Sequence, residues 1–225
     1  APVGNPPLYK GGAGGVRLKS SWTLPAIESP AFSEAAAPSS VTAESGPAFD
    51  WAKRGIIRAG VVVHRYLMRI CGDGVDKWGA SRVDGEKADI QKMLMQAGLN
   101  RAEAAKMADA VLSALKRALN DERGRWALNR HAEAREEFPV TGVINGKAVR
   151  AVIDRTFVDE NNVRWVIDYK ASEHRGGELD SFLAEEKARY EAQLETYGSI
   201  LRALGEERHI KKGLYYPALS AWIEW

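Results

Sequence analysis

From Asp50 onward, apolar residues recur at helical spacing. Ile57, Val61, Leu67 and Ile70 predict a helix over about 50–71, with Val62 and Val63 widening its apolar face and Asp50 placed to cap it. A second helix is predicted over about 84–97 and a third over about 101–120. The third opens on Asn100 and Glu103, the spacing of a capping box, and continues in a stripe of Ala104, Met107, Ala108, Val111, Leu115 and Leu119. After about residue 131 the period changes to two. Strands are predicted over about 137–144, 148–158 and 163–170. Asn145-Gly146 forms the first turn and Asp159 to Asn162 the second. A long helix over about 179–204 carries Leu183, Tyr190, Leu194, Tyr197, Leu201 and Leu204, and a last strand covers about 210–216. The order is helix, three antiparallel strands, helix, strand, with two helices inserted after the first. That is an α/β layer architecture, not a bundle or a sandwich.

The first 47 residues have a different texture. They hold Pro2, Pro6, Pro7, Pro25, Pro30, Pro38 and Pro47, seven of the nine prolines, among many Gly, Ser and Ala. Such a stretch buries too little apolar surface to offset the entropy of ordering it. It reads as a linker or tether, with Trp22 and Leu24 as its docking residues, and the folded domain begins near residue 48. The chain opens on Ala1 with no signal segment behind it, the appearance of a piece of a longer or processed protein.

Composition narrows the function. The 225 residues are 45% hydrophobic and 28% charged, and no apolar run is long enough to span a bilayer. The single cysteine, Cys71, excludes a disulfide framework, an all-cysteine zinc site and a cysteine-held iron–sulfur cluster within the chain, and fits a reducing cytosol. No G-x-x-x-x-G-K-[ST] loop occurs, so the chain has no Walker-type ATP site. A net charge of +2 does not by itself announce nucleic-acid binding.

The chemistry concentrates in the second hairpin. If its turn centres on Asn161, residues pair across it when their numbers sum to 322, which sets Asp154 opposite Asp168. Like charges directly opposite one another are destabilising. A shared proton, a nearby cation or a bound metal must offset them. Lys170 lies two residues beyond Asp168, on the same side of the strand. Ile153, Phe157, Trp165, Ile167 and Tyr169, with Arg155 as the exception, form the other face. That face reads as the core and leaves the polar trio aimed at a cleft or solvent. Two carboxylates and a lysine suit phosphodiester hydrolysis assisted by Mg²⁺ or Mn²⁺. A surface hairpin in which the lysine neutralises two acids is the alternative.

Asp154 followed by Asp168-Tyr169-Lys170 resembles the PD-(D/E)xK nuclease core. The likeness is closer to the RecB-type nuclease domain at the C-terminus of UvrD/Rep-like helicases such as AddA and RecB. Gly60-Val61-Val62-Val63-His64 is similar to its opening G-x-x-x-H helix. Val152-Ile153-Asp154-Arg155 is similar to its G-x-I-D-R strand, with Arg150-Ala151 where a Gly is expected. Ile167-Asp168-Tyr169-Lys170-Ala171-Ser172 is similar to its I-D-Y-K-T-S, with Ala for Thr. Tyr190 to Tyr197 is similar to its Y-x-x-Q-L-x-x-Y. The resemblance spans about 49–225.

It implies a restriction-endonuclease-like core and a metal-dependent DNA nuclease that is part of a helicase–nuclease working on double-strand breaks. His64, Asp154 and Asp168 would be metal ligands, with the Tyr169 backbone carbonyl as a fourth. Asp154, Asp168 and Lys170 would be catalytic. Gln193 and Tyr197, with Tyr190 on the same helix face, would hold the DNA strand or orient the centre. The cofactor would be Mg²⁺, with Mn²⁺ as substitute. The partners would be DNA, preferably single-stranded, a helicase motor upstream in the same polypeptide and a second AddB/RecC-like subunit. The location would be the cytoplasm, with no membrane. The alternative is a nuclease-like module that binds DNA or a partner without cutting.

Other residues read more plainly. His131, His174 and His209 belong to no motif and are expected at the surface. Glu136 and Glu137 precede the first strand, where related nucleases often carry an extra acid, but Glu137 reads more readily as a solvated charge. Tyr190 and Tyr197 lie on an apolar stripe and fit a core role equally well. Lys53, Arg54 and Arg58 could meet phosphates or simply face water.

Overall fold

The computed structural model describes residues 8–10, 16–18, 51–144, 146–171, 176 and 178–225. The chain divides into two compact units, Ala1–Ala48 and Phe49–Trp225. In the first, β1 (Leu8–Lys10) pairs antiparallel with β2 (Val16–Leu18), two three-residue strands in the stretch expected to hold little regular structure. Trp22, Leu24 and the capping position Asp50 lie outside the described residues, as do Asn145, Ser172, His174 and the side chains of Lys53 and Arg54.

The second unit opens on α1 (Trp51–Asp73), then a single 3-10 turn at Val75–Lys77, α2 (Ala80–Gly85) and α3 (Lys87–Gln96). Helix α4 (Arg101–Asn120) starts on the predicted capping box: the Asn100 side chain accepts from the Glu103 N–H, and the Glu103 carboxylate accepts from the Asn100 N–H. A short α5 (Glu122–Leu128) follows, capped by Asp121. The strands are β3 (Ala132–Ile144), β4 (Lys147–Val158), β5 (Arg164–Tyr169), β6 (Ile210–Tyr216) and β7 (Ala221–Glu224), with α6 (Leu179–Ala203) between β5 and β6. They form one sheet in the order β3-β4-β5-β6-β7, in which β5 and β6 run parallel and all other neighbours antiparallel. The unit is thus mixed α/β. No helix among the described residues is long and apolar enough to cross a membrane.

Both faces of the sheet are covered. On one, Phe157, Trp165, Ile167 and Tyr169 join a core with Val62, Val63, Leu67 and Ile70 of α1 and the buried stripe of α4. On the other, Ile153, Val166 and Leu214 pack with Leu194, Tyr197 and Ile200 of α6. This corrects two expectations. Ile153 does not share a core with Phe157, and the face that carries Asp168 is not open, since α6 lies over it. Ile57 and Val61, expected in the apolar face of α1, are 60% and 66% exposed.

The split between Ile153 and Phe157 locates a break in the pleat. Side chains of one parity should stay on one face of a strand. Here they change sides between Ile153 and Arg155. In the facing strand the matching position is Glu137, between the paired residues Glu136–Arg155 and Phe138–Ile153. Glu137 has φ 44°, the left-handed region, inside a strand. Such backbone costs of order 1–3 kcal/mol and persists where its surroundings enforce it.

Candidate metal centre and active site

Asp154 lies at this break. The β4–β5 register follows the predicted sum of 322 from Val158–Arg164 to Arg155–Ile167, and the next positions are Asp154 and Asp168, where the ladder ends. Past that point the Tyr169 N–H turns to Asp154, donating to Oδ2 at 2.9 Å. His64 reaches the same oxygen from α1, with Nδ1 3.5 Å away. Its ring stands edge-on to the Tyr169 ring at 5.9 Å. Gly60, one helical turn before His64, explains the approach. A Cβ there would meet the Ala171 Cβ at 2.9 Å, so any larger residue would push α1 off the end of β5.

Glu137 completes the group. One ligating atom each from His64, Glu137 and Asp154 lies within 4.8 Å of the other two. Glu137 is exposed and is held here by the strained turn in β3. Its exposure agrees with its reading as a solvated charge, and its convergence with His64 and Asp154 comes in addition, signalled by the first hairpin. Ile144 pairs with Lys147, so partners in that hairpin sum to 291, as do 137 and 154.

Burial, and next the charge of Asp168, push the Asp154 carboxyl up from 3.8 to about 6, while His64 and the Tyr169 N–H pull the other way. A carboxylate short of positive charge beside a histidine and a second carboxylate is a donor set that fits a hard divalent cation.

Asp168 has different neighbours. Its side chain is 5% exposed, and Lys170 Nζ lies 2.7 Å from Oδ2. No directed hydrogen bond reaches that oxygen among the described residues, so the contact is an ion pair at short range. Gln193 donates to Oδ1 at 3.3 Å and also hydrogen-bonds the Tyr197 hydroxyl. The third member of that helix face, Tyr190, lies under the Lys170 ammonium.

A cleft of about 650 Å³ opens over the centre, lined by Ile57, Val61, His64, Glu137, Asp154 and Lys170 among others. Asp168, Gln193, Tyr190 and Tyr197 do not line it. The sequence-predicted residues therefore fall into two layers. His64, Asp154 and Lys170 face the cleft, and Asp168 with the α6 residues stands behind them. The Tyr169 carbonyl belongs to the strand end that joins the layers.

Outside the site, His209 is exposed as expected. His131 is not a plain surface residue. It is half-buried, stacked on Phe157 at 3.9 Å, with Nε2 2.7 Å from the Trp126 carbonyl oxygen, and burial lowers its pKa. Glu136 pairs with the buried Arg155.

The raised Asp154 pKa predicts a pH signature. An acid whose pKa is higher folded than unfolded stabilises the fold at low pH, and that contribution disappears as pH rises through the folded value. Without metal, this group's contribution should be lost between about pH 4 and pH 6. Bound Mg²⁺ favours the ionised form, so the melting temperature should rise more on adding Mg²⁺ at pH 7 than at pH 5. Thermal melts in Mg²⁺ and in chelator at both pH values check this. An equal rise at both would contradict the assignment.

No protein-family model and no curated protein matches the chain.

Proposed function

We propose that residues 48–225 form a metal-dependent DNA nuclease domain of the RecB type, with a restriction-endonuclease-like core, hydrolysing phosphodiester bonds. The observation that carries this reading is the convergence of His64, Glu137 and Asp154 in a cleft that also presents Lys170. His64 and Asp154 would hold the ion, with Glu137 beside them, and the Tyr169 N–H orients Asp154. When bound, Mg²⁺ would supply Lewis-acid charge at a phosphoryl oxygen and lower the pKa of nearby water. Lys170 lines the cleft, and its ammonium would stabilise charge developing on the phosphate. Asp168 anchors that ammonium, and Gln193 anchors Asp168.

The wider setting rests on the motif resemblance alone. It comprises a cytoplasmic helicase–nuclease in double-strand-break processing, a motor upstream in the same polypeptide, an AddB/RecC-like partner and single-stranded DNA as the preferred substrate. The reading is tested by whether the chain cuts DNA in Mg²⁺ and stops when the ion is chelated.

A further inference from the structure

We infer that Tyr190 is a positioning residue for Lys170, its ring face setting the direction in which the ammonium is presented to the cleft. The inference rests on the nuclease reading and assigns Tyr190 a role other than holding DNA.

Lys170 Nζ lies 3.6 Å from the centroid of the Tyr190 ring and 2.7 Å from Asp168 Oδ2. The ammonium thus sits between one carboxylate oxygen and one aromatic face. The Lys170 side chain is 15% exposed, so its charge is largely shielded from water, the setting in which a cation–π contact counts most. A lysine is a compact charge on a flexible four-carbon stem. An ion pair to one oxygen fixes how far the ammonium reaches but leaves its direction free. The ring removes that freedom by occupying a second side.

Helix α6 supplies both restraints. Gln193, one turn after Tyr190, holds Oδ1 of Asp168, and Tyr190 holds the lysine. One helix face therefore grips the acid and the base of the pair together. Tyr190 does not line the cleft itself and meets Lys170 through its ring. The contact uses the ring face, not the hydroxyl.

The test compares Tyr190→Phe and Tyr190→Leu in the whole chain. On a single-stranded oligonucleotide in Mg²⁺, Tyr190→Leu should lower kcat about tenfold with KM within about twofold, and Tyr190→Phe should restore kcat to within about twofold. A readout independent of activity comes from protein labelled with ¹³C at the lysine ε-carbons, with the Lys170 resonance assigned through Lys170→Arg. That resonance should be displaced upfield by the ring in the wild type and in Tyr190→Phe, and should lose the displacement in Tyr190→Leu. An undisplaced Lys170 resonance in the wild type overturns the inference. A Tyr190→Leu variant with raised KM and unchanged kcat also overturns it, as does a Phe variant no better than Leu. If the chain cuts no DNA, the nuclease reading fails and the resonance still decides whether Tyr190 holds the lysine.

Discussion

Lys170→Ala should lower the cleavage rate roughly 10²–10³-fold, the usual cost of removing one aligned donor from a developing anion. The substitution also has a structural cost. Asp168 is 5% exposed, Lys170 is its charge partner at Oδ2, and Gln193 holds only the other oxygen. An orphaned buried carboxylate costs more than the roughly 1–3 kcal/mol of a neutral unpaired group. Cleavage kinetics and thermal melts on the same protein separate the two effects. Asp168→Asn combined with Lys170→Ala removes the buried charge, so it should recover much of the lost stability while staying inactive. A Lys170→Ala protein that cuts DNA at the wild-type rate would remove the lysine from the chemistry.

The largest expected effect on folding belongs to Arg155. Its side chain is 1% exposed. Nε donates to the Ala127 carbonyl at 3.2 Å and Nη2 to the Asn129 carbonyl at 2.6 Å, which ties the end of α5 to the sheet. Nη1 pairs with Glu136, and the guanidinium lies over the Phe157 ring at 5.4 Å. Its loss leaves the buried Ala127 carbonyl unpaired, at about 1–3 kcal/mol, and opens a cavity in the core, at about 2–5 kcal/mol. At roughly 2–4 °C per kcal/mol for a chain of this size, Arg155→Ala should melt about 10 °C lower. Arg155→Lys should recover little of this, because an ammonium cannot span three acceptors in the plane of a guanidinium. A fall of under about 3 °C for Arg155→Ala would show that α5 is held by other contacts. The effect reaches the site, since Arg155 follows Asp154 and pairs with Glu136, next to Glu137.

How far the sequence foretold this arrangement differs from residue to residue. The register that brings Asp154 towards Asp168 follows from one turn, because an antiparallel hairpin leaves no freedom once its turn is placed. The capping box of α4 and the bounds of β6 are equally local and are as predicted. Glu137 was calculable from the Asn145-Gly146 turn, since 137 and 154 share the sum of 291 that the paired residues follow. Local pattern could not reveal the break in the pleat, which depends on Glu137 adopting a left-handed conformation inside a strand. Nor could it reveal that α6 covers the Asp168 face, because that follows from tertiary packing. The short α5 and β7 carry too few residues for periodicity to show. Ile57 and Val61 fit the helical spacing of α1 yet line the cleft, since spacing marks a face without saying what it meets.

The function proposed for this chain depends on hydrolysis at a divalent cation in the cleft of His64, Glu137, Asp154 and Lys170. The most direct measurement is a time course of a 5′-labelled single-stranded oligonucleotide incubated with the chain in Mg²⁺ and, in parallel, in chelator. Shortened products should accumulate in Mg²⁺ and be absent in chelator. An oligonucleotide left intact in both Mg²⁺ and Mn²⁺, or cut equally well in chelator, would contradict the assignment of a metal-dependent nuclease.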